Sequence, residues 1–168
     1  MQVNKDIVNA ARCFAPLAGK EPKVLILGTM PGKASLEKRQ YYGYKYNAFW
    51  KLMFDILGVP PGKSYKDRTK LLKSGSVALW DVISSCQRKG SSDTAIKNTI
   101  YNDISGFLDK HKSIKAVFLN GKAAHKAFIK AVSGKTGAKV FAMPSTSPAN
   151  TVKYAVKLEK WKKIKDFI

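Results

Sequence analysis

The chain has 168 residues, 45% of them hydrophobic, which suits one compact unit with a sizeable core and excludes a disordered chain. Lys and Arg number 31 against 11 Asp and Glu, a net charge of +20, so the chain draws polyanions, with nucleic acid the first candidate. No apolar run nears the roughly 20 residues of a membrane helix, and Cys13 and Cys86 alone cannot furnish a four-cysteine metal centre.

Apolar strands alternate with helical periods along the chain. KVLILG (23–28), a short apolar run closed by glycine, predicts a buried strand. NAFWKLMFDILG predicts a helix with Trp50, Phe54 and Leu57 on one face and Gly58 as its stop. SVALWD (76–81) reads as a second strand. In SSDTAIKNTIYNDISGFLDK, Ile96, Ile100, Ile104 and Leu108 recur every four residues and predict a helix. KAVFLNG (115–121) reads as a third strand. GKAAHKAFIKAV follows as a helix carrying Ala124, Ala127, Phe128 and Ala131, and AKVFAMP (138–144) is a fourth strand. The last helix is expected to start at Ser147 as N-cap with Pro148 in its first position. Its stripe is Tyr154, Leu158, Trp161, Ile164 and Ile168, with six lysines between Lys153 and Lys165 mostly off it. This order predicts an α/β fold: a parallel sheet covered on both faces, spanning 1–168 as a single domain.

Such sheets bind ligands beyond the carboxyl ends of their strands. The residues standing there are Gly28-Thr29-Met30-Pro31-Gly32, Asp81, Asn120-Gly121 and the stretch from Pro144 to Asn150. GTMPG allows close backbone approach but lacks the Gly-Lys-Ser/Thr ending of a phosphate loop. An ordinary strand-to-loop turn would also account for it. Asp81 can accept from a ligand N–H or cap the next turn. Asn47 precedes a helix, so it can cap that helix, orient a water, or do both with its two amide ends. Around it, YYGYKYNAFW is dense in rings. Tyr41, Tyr42, Tyr44 and Tyr46 form a candidate stacking surface for bases, with Phe49 and Trp50 on the helix's apolar face. PSTSPAN can follow a phosphate backbone with its hydroxyls or serve as a capping loop.

GTMPG, SLEKRQYYGYKYNAFW, VALWDVISSC, KAVFLNG and MPSTSPAN, in this order, resemble the hypoxanthine-DNA glycosylases of the uracil-DNA glycosylase superfamily. The likeness runs from about Val24 to Asn150. It implies a three-layer αβα sandwich around a four-stranded parallel sheet. It also implies a monofunctional glycosylase that hydrolyses the N-glycosidic bond of a deaminated base in DNA, with no metal or organic cofactor. Mismatch-specific uracil glycosylases carry an Asn in the third position of the first loop; here that position is Met30. In the family resembled, the catalytic Asn precedes the helix and maps to Asn47. The resemblance further implies that Tyr42 stacks on the extruded base and that Asp81 stands where uracil enzymes read the base with an Asn. Gly28, Thr29 and Met30 would complete the base site. Pro144, Ser145, Thr146 and Ser147, with Lys122, would contact DNA. The family's His-Pro after the stacking ring is replaced by Tyr44-Lys45.

Hypoxanthine is the expected base, with uracil, xanthine or mismatched thymine as the alternatives. The protein is expected to be a cytoplasmic monomer. The polar start MQVNKDIVNAARCFAP has no signal-peptide core, and two cysteines suit a reducing compartment. Other readings of the charge are a non-catalytic nucleic-acid binder, a basic membrane-surface protein and basicity without specific meaning. A small-molecule hydrolase is disfavoured, since no Gly-x-Ser-x-Gly elbow occurs.

Overall fold

In the computed structural model, residues 10–168 are described. The first nine residues, part of the polar start read above, lie outside them. In chain order the elements are β1 (Ala10–Arg12), β2 (Val24–Gly28), α1 (Lys33–Lys38), α2 (Phe49–Leu57), α3 (Tyr65–Ser74), β3 (Val77–Asp81), β4 (Ile83–Gln87), β5 (Lys97–Tyr101), α4 (Ile104–Lys110), β6 (Ala116–Asn120), α5 (Lys122–Ala131), β7 (Lys139–Met143) and α6 (Tyr154–Trp161). Short 3-10 turns cover Asp93–Ala95 and Lys162–Asp166.

The four apolar runs form the expected sheet. Its order is β3-β2-β6-β7, and every pairing is parallel. All residues of β2 and β6 are buried, as befits central strands covered on both sides. Side chains alternate between the two faces. Val24, Ile26 and Phe118 join one core with Leu52, Met53 and Trp161. Leu25, Leu27, Val117 and Leu119 join the other with Phe107 and Phe128. Sealing side chains such as Leu52 and Phe118 completely is worth roughly 1.5–3 kcal/mol each. Helices on both faces give the three-layer αβα arrangement. Among the described residues no helix is long and apolar enough to cross a membrane.

Two sequence expectations are corrected. The segment from Ser91 to Lys110 is not one helix. Lys97–Tyr101 is a strand antiparallel to β4, in a second sheet ordered β1-β4-β5. Ile100 points to solvent, 63% exposed, although its spacing from Ile96 and Ile104 mimics a helical stripe. Thr99, Ile100 and Tyr101 are β-branched or aromatic and suit a strand. The helix starts only after Asp103, whose carboxylate accepts from Gly106 N–H at 2.9 Å.

The last helix begins at Tyr154, with Lys153 as its N-cap, and not at Ser147. Ser147 does accept from Ala149 N–H at 3.2 Å, and Asn150 N–H bonds Ser147 O at 3.0 Å, but this closes a single turn. The apolar stripe holds: Trp161 and Ile164 are fully buried. Lys157 is the exception among its lysines, being only 5% exposed.

Candidate active site

The carboxyl ends of the central strands open onto one cleft of about 1090 Å³. Its floor is the meeting of β2 and β3. Gly28 pairs with Asp81 across the sheet, and Val82 and Ile83 N–H donate to the Gly28 and Thr29 carbonyls at 2.9 and 3.0 Å. A Cβ on Gly28 would lie 2.4 Å from Asp81 Oδ1 and 3.1 Å from the Tyr42 hydroxyl. Glycine is therefore required here by crowding. Met30 lines the cleft while burying its side chain in the core below.

Asp81 is 5% exposed, and its Oδ2 is sealed without a hydrogen-bond partner. The capping alternative therefore lapses: Asn102 Nδ2 donates to the Asp81 main-chain oxygen at 2.8 Å and leaves the carboxyl alone. Burial, reinforced by the charge of Asp93 and opposed by Arg88, pushes the Asp81 carboxyl up to about 7.

Tyr42 takes a left-handed backbone conformation, φ 52°. One face of its ring stacks on Phe49, with centroids 3.9 Å apart and planes at 17°. Its hydroxyl accepts from Asn120 Nδ2 at 2.9 Å, and burial raises its pKa. The four tyrosines do not form one stacking surface. Tyr41 is buried, donating its hydroxyl to Ala15 O at 2.8 Å, whereas Tyr44 and Tyr46 are 48% and 62% exposed.

Asn47 borders the same cleft. Ala48 holds the N-cap position without a side-chain bond, and Asn47 Oδ1 accepts from the next N–H, that of Phe49, at 3.0 Å. The amide thus fastens the helix start through its oxygen, while its nitrogen makes no bond to a described residue. An amide oxygen has a second lone pair, so both ends can still meet a water.

The PSTSPAN loop forms the opposite wall. Thr146, 1% exposed, is turned inward. Its hydroxyl accepts from Asn120 Nδ2 at 3.0 Å, its N–H donates to Asn120 Oδ1 at 2.9 Å, and its carbonyl accepts from Ala48 N–H at 3.0 Å. At this burial the hydroxyl is not presented at the surface as a donor, contrary to the role expected of it. Pro144, Ser145 and Ser147 line the cleft, as does Lys122 at the start of α5.

Sequence reasoning noted Asn120 only as a strand-end residue. It joins three segments: its amide binds Tyr42 on one side and Thr146 on the other, locking the ring loop to the PSTSPAN loop. Lys157 was also missed. Its ammonium donates to Ser147 O at 3.2 Å and Asn150 O at 2.8 Å, and burial lowers its pKa. With Trp161 Nε1 donating to Pro144 O at 2.9 Å, α6 fastens both ends of the loop.

A third wall comes from the β4–β5 connection, where Ser91, Ser92 and Asp93 line the cleft. Ser91 Oγ accepts from Lys33 N–H at 2.8 Å. Behind them the buried Arg88 donates to Pro31 O and lies 3.7 Å from Asp93. Asp93 could not be placed from a segment read as helix, and Arg88 lies just before that segment.

The described residues contain no group of three or more His, Cys, Asp or Glu suited to a metal ion. Known proteins resemble this chain in sequence and in fold. The profile of the uracil DNA glycosylase superfamily matches residues 16–167. A hypoxanthine DNA glycosylase of Methanosarcina barkeri is 38% identical over 110 residues, 65% of this chain and 70% of that protein. A hypoxanthine DNA glycosylase of Methanosarcina acetivorans is 32% identical over 142 residues, 83% of this chain and 87% of that protein. The solution structure of a candidate uracil DNA glycosylase from Methanosarcina acetivorans superposes with a TM-score of 0.79 at 28% identity, covering 92% of this chain and 96% of the other. Matched over nearly its whole length, this chain belongs to the uracil DNA glycosylase superfamily.

Proposed function

We propose that this protein is a monofunctional DNA glycosylase that removes a deaminated base, foremost hypoxanthine, by hydrolysing its N-glycosidic bond. The observation that carries the reading is the convergence of Asn47, Tyr42, Asp81 and the Gly28–Gly32 loop on one cleft, in a chain related to two hypoxanthine DNA glycosylases. A target nucleotide must leave the DNA stack to enter such a cleft. Extrusion costs a few kcal/mol, least where the base pairs poorly, as deaminated bases do with their former partners.

In this reading the base slides against the free side of Tyr42, whose other side rests on Phe49. Its polar edge meets Asp81. Breaking the bond gathers positive charge on the sugar and negative charge on the base. Backbone N–H groups of the first loop stabilise the base anion, which is oxyanion-hole logic. Asn47 orients the attacking water at the sugar carbon. Ser145, Ser147 and Lys122 hold flanking phosphates, helped by the +20 charge that attracts DNA. Uracil presents the same N–H and C=O pair as hypoxanthine and is the second candidate base.

A lysine nucleophile would instead give a Schiff base and then a nick. It needs a pKa lowered by burial or a neighbouring cation. Lys33 and Lys45 are exposed. Lys157 is buried, but its ammonium is committed to two loop carbonyls. An oligonucleotide with one deoxyinosine is expected to stay unbroken until alkali or heat is applied, and borohydride is expected to trap no protein–DNA adduct. A trapped adduct that disappears in Lys45→Ala would transfer the chemistry to that lysine.

A further inference from the structure

We infer that Asp81 works as a neutral carboxylic acid, donating its O–H to the carbonyl oxygen of the bound base, so that excision is restricted to bases with a carbonyl at that edge and is switched off when Asp81 ionises. The inference rests on the glycosylase reading and specifies how its base-reading position operates.

Geometry carries it first. Asp81 stands at the cleft floor on a strand end, held in register with Gly28. A buried carboxylate ordinarily accepts several hydrogen bonds or pairs with a cation. This carboxyl does neither. Oδ2 is sealed from solvent and has no partner. The nearest amide, Asn102 Nδ2, goes to the main-chain oxygen. Asn120 Nδ2 is spent on Tyr42 and Thr146. The one cation that acts on it, Arg88, donates to Pro31 O, faces Asp93 at 3.7 Å and forms no ion pair with Asp81, although its Nε and Nη1 are buried without hydrogen-bond partners.

Every other titratable group coupled to Asp81 fails to supply positive charge. Tyr41 and Tyr42 from the ring loop are neutral phenols, and burial holds both protonated. Cys13, beyond β1, is a thiol kept neutral by burial. Asp93, from the β4–β5 connection, brings like charge. With a carboxyl pushed up to about 7, the neutral form prevails below neutrality.

The chemistry then follows from what each form can do. A protonated carboxyl donates; a carboxylate only accepts. Hypoxanthine, uracil and xanthine all present a carbonyl beside a ring N–H. Negative charge gathers on that carbonyl as the glycosidic bond breaks, so a donor there strengthens in the transition state. A carboxylate at the same place would set like charge against the departing base. A buried carboxylic acid kept neutral so that it can donate is an established device for stabilising such anions.

The test is kcat/KM for release of hypoxanthine from a deoxyinosine duplex between pH 5.5 and 9, with the parent and Asp81→Asn. The amide donates at every pH, and any titration of the substrate is common to both proteins. The parent is expected to lose about tenfold per pH unit above neutrality, since kcat/KM follows the free enzyme's ionisations. The Asp81→Asn profile should lack that fall, whatever its absolute level, so the ratio of variant to parent rises roughly tenfold per unit. Parallel profiles for the two proteins, flat or falling, would overturn the inference. So would a flat parent profile between pH 7 and 9, whatever the variant does. An active parent with parallel profiles rejects this role of Asp81 alone. A parent that releases no base at any pH rejects the glycosylase reading and this inference with it.

Discussion

Asn47→Ala is expected to slow base release by about 10²-fold or more while leaving DNA affinity nearly unchanged, the scale for losing one positioned catalytic contact. The amide borders the same cleft as the ring that would hold the base. Its oxygen also bonds Phe49 N–H at 3.0 Å, so truncation should cost some stability, about 1 kcal/mol for a lost helix-start bond. The two effects separate cleanly in measurement. Single-turnover rates report the chemistry, and thermal melting reports the helix. Asn47→Asp should retain the Phe49 bond yet lose the amide N–H₂. A variant that melts earlier but cuts at the parent rate would reduce Asn47 to a capping residue.

Gly28→Ala is expected to cost as much. The new methyl would stand 2.4 Å from Asp81 Oδ1 and 3.1 Å from the Tyr42 hydroxyl. Neither neighbour is the far end of a flexible chain: the Asp81 carboxyl is one bond from its Cβ, and Asn120 ties the Tyr42 hydroxyl in place. Relief therefore comes from displacing Asp81 or prising β2 from β3. A displacement near 1 Å at a reacting centre costs about 10²-fold in rate. The atoms the new methyl meets belong to Asp81 and Tyr42 and not to Ser145 or Lys122, so affinity for undamaged DNA should hold. Excision within threefold of the parent would mean that Asp81 and Tyr42 do not border the base.

The sequence was most informative where local pattern alone decides structure. VLILG, VALWD, AVFLN and KVFAM are short runs bounded by turn signals, and all four became strands of the parallel sheet. Their ends pointed to the cleft because a parallel sheet collects its loops on one edge. The segment containing Ile96, Ile100 and Ile104 misled because its apolar spacing is helical. What decided it was antiparallel pairing with the neighbouring strand β4, which a helical spacing does not register, and Ile100 ended in solvent. Ser147 misled for a related reason. Its local capping bond exists, but Lys157 and Trp161 pin the surrounding carbonyls into a loop. Such tertiary bonds leave no mark in spacing. Asn120 illustrates the same limit within the site: its residue type and position were visible, whereas its grip on Tyr42 and Thr146 required the folded chain.

If this cleft releases a deaminated base from DNA, the released base itself is the most direct readout. Duplexes carrying one deoxyinosine, deoxyuridine, deoxyxanthosine or mismatched thymidine would be incubated with the protein in excess chelator. The free bases would then be separated and quantified. Free hypoxanthine is expected to accumulate in step with alkali-sensitive sites, with little of it from Asn47→Ala. Duplexes that bind the protein but yield no free base from any substrate, with strands intact after alkali, would contradict the glycosylase reading.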